Sequence, residues 1–241
     1  MVDAPDDFED LVVFGFTTFD LDEAFPKATV AGLEPLLDQL GAPLAEGLRV
    51  NELTSEDLDA AGVDQTLEAG VIGSAATVHL AADVDGVAKA WTFPHMNEIL
   101  ENTLEFELTA EEGDRDCFLA HACETYAIEA DRVLDMGLFG TATQVLSREF
   151  RWVTPEVGAP VLTVRERIPD GSQMSGDLVA VHQGYLYTAF FDRSGTTRLE
   201  TIWIDAEAIG MDIPDTFALD FAVSAMQKTA DQVDAWVVAN P

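Results

Sequence analysis

Positive charge is what this 241-residue chain has least of. Lysine and arginine together number 12 against 45 aspartates and glutamates, and the only lysines are Lys27, Lys89 and Lys228. A net charge of −33 leaves no broad basic surface, so nucleic-acid binding by neutralising a phosphate backbone is disfavoured. Cysteine is scarce too: Cys117 and Cys123 are too few for a disulfide framework. No uncharged segment exceeds 14 residues, and one of that length, 178–191, includes His182 and Gln183, too short and too polar to span a bilayer. The opening MVDAPDDFED holds five acids where a signal peptide would carry positive charge. Phosphate-loop, dinucleotide-loop, nucleophile-elbow and metalloprotease patterns are missing, so nothing in the sequence asks for a cofactor. These absences together lead to the expectation of a soluble, cytoplasmic or virion-associated protein with no membrane partner.

What is present is a large apolar fraction, 48%, enough to exclude disorder. The acids are scattered along the chain and form no tail. At about 1 M salt the Debye length shrinks to roughly 3 Å, and neighbouring carboxylates barely repel one another. In composition the chain resembles proteins of salt-accumulating halophiles, archaea or their viruses. The resemblance covers no particular family and implies only salt- and cation-rich surroundings.

Along the chain, residues 1–8 read as an acidic tail and residues 9–241 as one α+β domain, with a weak subdivision near 137–141. LVVFGFTTF (11–19) is rich in aromatic and β-branched residues and reads as a buried strand. Helical spacing marks 29–40, where Pro35 is awkward outside a first turn. Residues 54–62 form a second helix, capped by Thr54 or Ser55 and closed by Gly62. Residues 71–93 suggest two strands around the turn at 83–86, then a helix at 94–102 and a strand at 103–109. A stripe of Leu119, Cys123, Tyr126, Ala130, Val133 and Leu134 predicts a helix over 116–136. On such a helix the two cysteines stand about 9 Å apart along the axis and remain free thiols. Alternating runs at 142–153, 161–168, 177–182, 185–191 and 197–204, separated by turn formers, predict a five-stranded antiparallel meander. Pro214 with Asp215 and Thr216 introduces a long covering helix at 217–238, with Phe217, Phe221, Ala225 and Val233 as its buried stripe.

The meander departs from the rest of the chain in charge. Residues 141–204 carry six arginines (148, 151, 165, 167, 193 and 198) against seven acids, so almost the whole deficit lies elsewhere. In TVRERIPDG (163–171), two-residue periodicity puts Arg165 and Arg167 on one face and Val164 and Ile168 on the other. Three readings compete. Cross-strand Arg–Glu pairs beneath the chain's own helix would make the region neutral without further purpose. A protein interface would use arginine and aromatics in the same way. A carboxylate or phosphate clamp would use the planar guanidinium.

The expectation taken forward is a non-catalytic interaction or assembly protein, in contact with a protein partner or itself through Arg148, Arg151, Arg165, Arg167, Arg198, Tyr185 and Tyr187. The alternative is an anion-binding protein or hydrolase that uses Arg148, Arg165, Arg167 or Arg198 to hold substrate, with His182 or His121 for proton transfer. A weaker metal candidate is Cys117, His121 and Glu124, aligned along one face of the expected helix. His95, Glu98 and Glu101 share a helix side too, a pairing expected by chance in so acidic a chain.

Overall fold

The computed structural model describes residues 2–67, 69–137, 140–176, 179–208 and 215–241. Its centre is a nine-stranded antiparallel sheet in which strands from both halves of the chain pair. The strands are β1 (Leu48–Leu53), β2 (Val71–Leu80), β3 (Thr103–Glu112), β4 (Thr125–Asp135), β5 (Thr141–Val153), β6 (Val161–Ile168), β7 (Ser172–Met174), β8 (Val179–Asp192) and β9 (Thr196–Ala208). Their order is β1-β2-β9-β8-β6-β5-β4-β3, with the short β7 between β5 and β8. The expected α+β class, an antiparallel meander with a long C-terminal helix, is what the chain adopts.

Helices cover both faces. On the outer face lie α1 (Phe8–Thr17), α2 (Ala24–Gln39), α3 (Gly41–Glu46) and α4 (Ser55–Ala60), packed on Tyr185, Tyr187 and Trp203. On the inner face lie α5 (Val84–Trp91), α6 (Arg115–Leu119) and α7 (Asp215–Ala239), packed on Phe150, Leu162, Val164 and Phe190. Alternation along β8 makes this possible, because odd positions from 185 to 191 enter one core and Phe190 enters the other.

Several expected elements change type, each for a local reason. Residues 11–17 are helical, with a turn at 18–19: Phe8, Leu11, Val12, Gly15 and Phe16 are buried at helical spacing, and Asp7 caps the start by accepting from the Glu9 amide at 2.9 Å. Gly15 lets α1 sit close to its neighbours, since a Cβ there would meet Tyr187 Cζ and Thr29 Cγ2 at 2.8 Å. Residues 84–91 form a helix and not the second strand of a hairpin, because Asp83 caps it through the Gly86 amide at 2.8 Å. Residues 94–102 supply only a 3-10 turn at Met96–Glu98.

The helix expected over 116–136 is the largest correction. α6 ends at Leu119, His121 adopts φ +55°, and β4 follows with Tyr126, Ile128 and Ala130 buried at alternate positions. The stripe matched two periods at once, and cross-strand pairing with β3 and β5 selects the extended one. The free thiols are corrected with it: the turn brings the Cys117 and Cys123 Cα atoms to 5.3 Å, and the two form a disulfide. The turn expected at 182–185 is a β-bulge within the single strand β8. Thr54 and Asp57 form the expected capping box of α4. Pro35 lies inside α2, well past its first turn. In α7, Met226, Ala230 and Val233 are buried and Ala225 is exposed; the side chains of Phe217 and Phe221, and Pro214, lie outside the described residues.

Candidate functional site: a buried charged row on the inner face

Cross-strand register assembles the site. Arg148 on β5 faces Glu166 on β6, Thr188 on β8 faces Glu200 on β9, and Phe190 faces Arg198. All six point toward the α5–α7 layer, and the four charged residues among them are each less than a tenth exposed. Burying charge is costly unless it is paired and hydrogen-bonded.

Glu166 meets that requirement fully. Its carboxylate accepts from Arg148 Nε at 2.8 Å and from Arg132 Nη2 at 3.0 Å, and a second contact to Arg148, at Nη2, is 2.6 Å. Arg132 also donates through Nε to Gln144 Oε1 at 2.7 Å, and Gln144 Nε2 donates to Ser172 Oγ at 2.5 Å. Burial alone would raise the Glu166 pKa, but the two guanidinium groups outweigh it and hold the carboxyl below its usual range.

Arg198 is different. It pairs with Glu200 through Nη2, and its guanidinium lies over the Trp91 ring at 4.7 Å and the Phe190 ring at 6.0 Å. Its Nε and Nη1 are buried and have no acceptor among the described residues. Along β9 the same face then turns apolar and less covered: Ile202 is half-buried and Ile204 is 42% exposed, beside the half-buried Leu186 of β8. The inner face therefore places buried donors and a less covered apolar strip along the same strand.

The other expected contact residues divide between the two faces. Arg165 and Arg151 tie the outer helices to the sheet. Arg165 donates to Glu149 Oε2 at 2.7 Å, to the Ala61 carbonyl at 3.3 Å and to Asp20. Arg151 donates to Glu124 at 2.6 Å and to the carbonyls of Phe19 and Leu21 at 2.7 and 2.8 Å. Arg167 pairs with Glu149 at 3.2 Å. Tyr185 and Tyr187 are core residues, at 0% and 2% exposure. Burial raises the Tyr185 hydroxyl pKa to about 12.

The metal candidate is taken apart by its own contacts. Cys117 is in the disulfide, Glu124 holds Arg151, and His121 stacks on Trp152 at 4.0 Å with Nε2 at 2.8 Å from Asp85. His95 lies against Phe93, Glu101 pairs with Lys228, and among the described residues no group of three or more metal-ligating side chains gathers. His182 is exposed on β8. Sequence reasoning missed Arg132, Gln144 and Trp91. The first was hidden by the mistaken helix, although Arg148, Glu166, Arg198 and Glu200 share a parity that alternation alone could have grouped.

No protein-family model matches the chain, and no curated protein matches it. Solved structures resemble it in outline only. A START superfamily protein from Mycobacterium smegmatis aligns over 70% of this chain and 99% of its own, at 10% identity and TM-score 0.44. The lipid transfer and protein localization domain of human StarD13 aligns over 69% and 76%, at 12% identity and TM-score 0.39. The ZhuI aromatase/cyclase from Streptomyces sp. R1128 aligns over 69% and 93%, at 15% identity and TM-score 0.39. Likenesses of this extent say nothing of what this chain binds.

The expected assembly surface is corrected at this point. The neutral sheet is covered on both faces by the chain's own helices, and Arg148, Arg151, Arg165, Arg167 and Arg198 all pair with carboxylates of the same chain. Neutrality of this stretch records internal pairing.

Proposed function

We propose that this protein binds an elongated small-molecule amphiphile with one anionic group, held between the inner face of the sheet and the α5–α7 layer. The observation that carries the reading is Arg198, a buried guanidinium with Nε and Nη1 donors left without acceptors. A carboxylate or similar oxyanion supplies the missing acceptors in a charge-assisted bond. The apolar body of the ligand then lies along Leu186, Ile202 and Ile204. From Arg198 to Ile204 the strand extends about 20 Å at roughly 3.3 Å per residue, which favours a long ligand over a compact one.

Of the two histidines named for proton transfer, His121 is engaged with Trp152 and Asp85, and His182 is exposed. The charge of −33 belongs to the same reading: the protein works in salt-rich surroundings, where carboxylate repulsion is screened. Among the described residues no helix is long and apolar enough to cross a membrane.

The test is a titration of the whole chain, in concentrated KCl, with a pyrene-labelled fatty acid and with the matching uncharged methyl ester. Saturable binding of the acid, weakened about tenfold or more by Arg198→Gln and by esterification, is expected for loss of one charge-assisted contact. Equal binding of acid and ester, or none of either, would discard the reading.

A further inference from the structure

On the opposite face of the sheet, a cleft of about 330 Å³ opens between the α1–α2 turn, the end of α4 and strands β5 and β6. Its floor is Arg165, Arg167 and Glu149, its rim is Asp20, and Leu21 and Ala61 form apolar walls. The two arginines are not equivalent. All three nitrogens of Arg165 have acceptors, in Glu149, Ala61 and Asp20. Burial would lower the Arg165 pKa, but Glu149 and Asp20 raise it overall, so this group is a fixed charge.

Arg167, two residues further on the same face, is held only by long contacts. Nη2 is 3.3 Å from Ser147 Oγ and 3.2 Å from Glu149 Oε1, while Nε is buried and has no acceptor among the described residues. Nε and Nη2 form one edge of the guanidinium, two parallel donors whose spacing matches the two oxygens of a carboxylate. An oxyanion that reached this edge would satisfy the orphaned Nε and share Nη2 with Glu149 and Ser147.

The charge around this edge limits what arrives. Glu149 lies beside it, Asp20 stands at the mouth with its side chain 59% exposed, and the whole chain carries −33. A dianion such as phosphate meets repulsion from both carboxylates. A molecule of zero net charge meets none at long range, and a cationic group on it gains from Asp20.

We propose that this cleft is a second binding site, for a small zwitterion of the amino-acid class. Its carboxylate sits on the Nε–Nη2 edge of Arg167, its ammonium faces Asp20, and a small apolar side chain rests against Leu21 and Ala61. The site is on the opposite face from Arg198 and stands or falls separately from the amphiphile reading.

Isothermal titration of the whole chain in concentrated KCl with L-alanine, and with acetate as a carboxylate lacking the ammonium, tests it. Alanine binds saturably, and acetate binds about tenfold or more weakly, the loss of one ionic contact. Arg167→Gln abolishes alanine binding, and Arg198→Gln leaves it unchanged. Asp20→Asn, at a side chain 59% exposed, keeps an oxygen that can accept from Arg165 and weakens alanine to the level of acetate, which keeps the test open if Arg167→Gln does not fold. The proposal is overturned if alanine gives no saturable signal, if acetate binds as tightly as alanine, or if Arg167→Gln or Asp20→Asn binds alanine like the wild type.

Discussion

Arg165 on the outer face and Arg198 on the inner face are buried alike, at 1% and 5% exposure, yet their surroundings differ. Arg165 joins three separate pieces of chain: Glu149 in the sheet, Asp20 after α1 and the Ala61 carbonyl after α4. Arg198 joins only its near neighbour Glu200 and two aromatic rings, and two of its nitrogens are left over. The first arrangement fastens a helix layer to a sheet. The second contributes little to the fold that Glu200 and packing do not already supply. The matched donors of Arg165 account for its place in the architecture, and the unmatched donors of Arg198 are what the proposed ligand would engage.

Mutations sharpen that contrast. The largest effect is expected for Arg165→Leu, which leaves Glu149 without its closest partner: about 3–5 kcal/mol, the usual cost of breaking one side of a buried pair. Chemical denaturation in high salt measures it. Somewhat less, about 3 kcal/mol, is expected for Glu166→Ala, which strands Arg148 and Arg132 together. Glu166 also predicts a pH dependence. Its folded pKa is depressed, so its contribution is present above the ordinary carboxylate range and is lost as pH falls through the folded value. Glu166→Ala should therefore flatten the acid limb of the stability profile measured by thermal melting.

Cys117→Ser comes next. The disulfide closes a short loop, with a sequence separation of 6, and its loss costs about 2 kcal/mol on chain-entropy grounds. Because the loop holds His121 against Trp152, tryptophan fluorescence should change with it. The smallest effect belongs to the inner face: Arg198→Leu together with Glu200→Leu should stay within about 1 kcal/mol of the wild type, since apolar replacement of a buried pair is often neutral. A loss as large as that of Arg165→Leu would erase the distinction between the faces.

How much of this was legible beforehand depended on which period dominated each segment. The sheet from β5 to β9 was readable because alternation and turn residues agreed, as in 161–168 and 197–204. The N-terminal helix α1 was not: Leu11, Val12, Val13 and Phe14 favour strands individually, and only the recurrence of buried positions at 8, 11, 12, 15 and 16 marks the helix. The 116–136 region failed in the opposite sense, since its helical stripe was real in sequence and overruled by strand pairing. That error carried the disulfide and Arg132 with it. The neutrality of residues 141–204 follows from cross-strand Arg–Glu pairing within the chain, one of the three competing readings, and not from the interface that was taken forward. What sequence could not reveal was which guanidinium lacks an acceptor, because that depends on the side chains of α5 and β9 meeting across the inner face.

The most direct measurement is the arginine Nε–Hε NMR spectrum of the whole chain in concentrated KCl, followed as the pyrene-labelled fatty acid is added. The account predicts that the Arg198 signal, assigned by its loss in Arg198→Gln, moves with saturation while the Arg165 signal stays fixed. A titration that saturates with Arg198 unmoved, or that moves Arg165 instead, would contradict it.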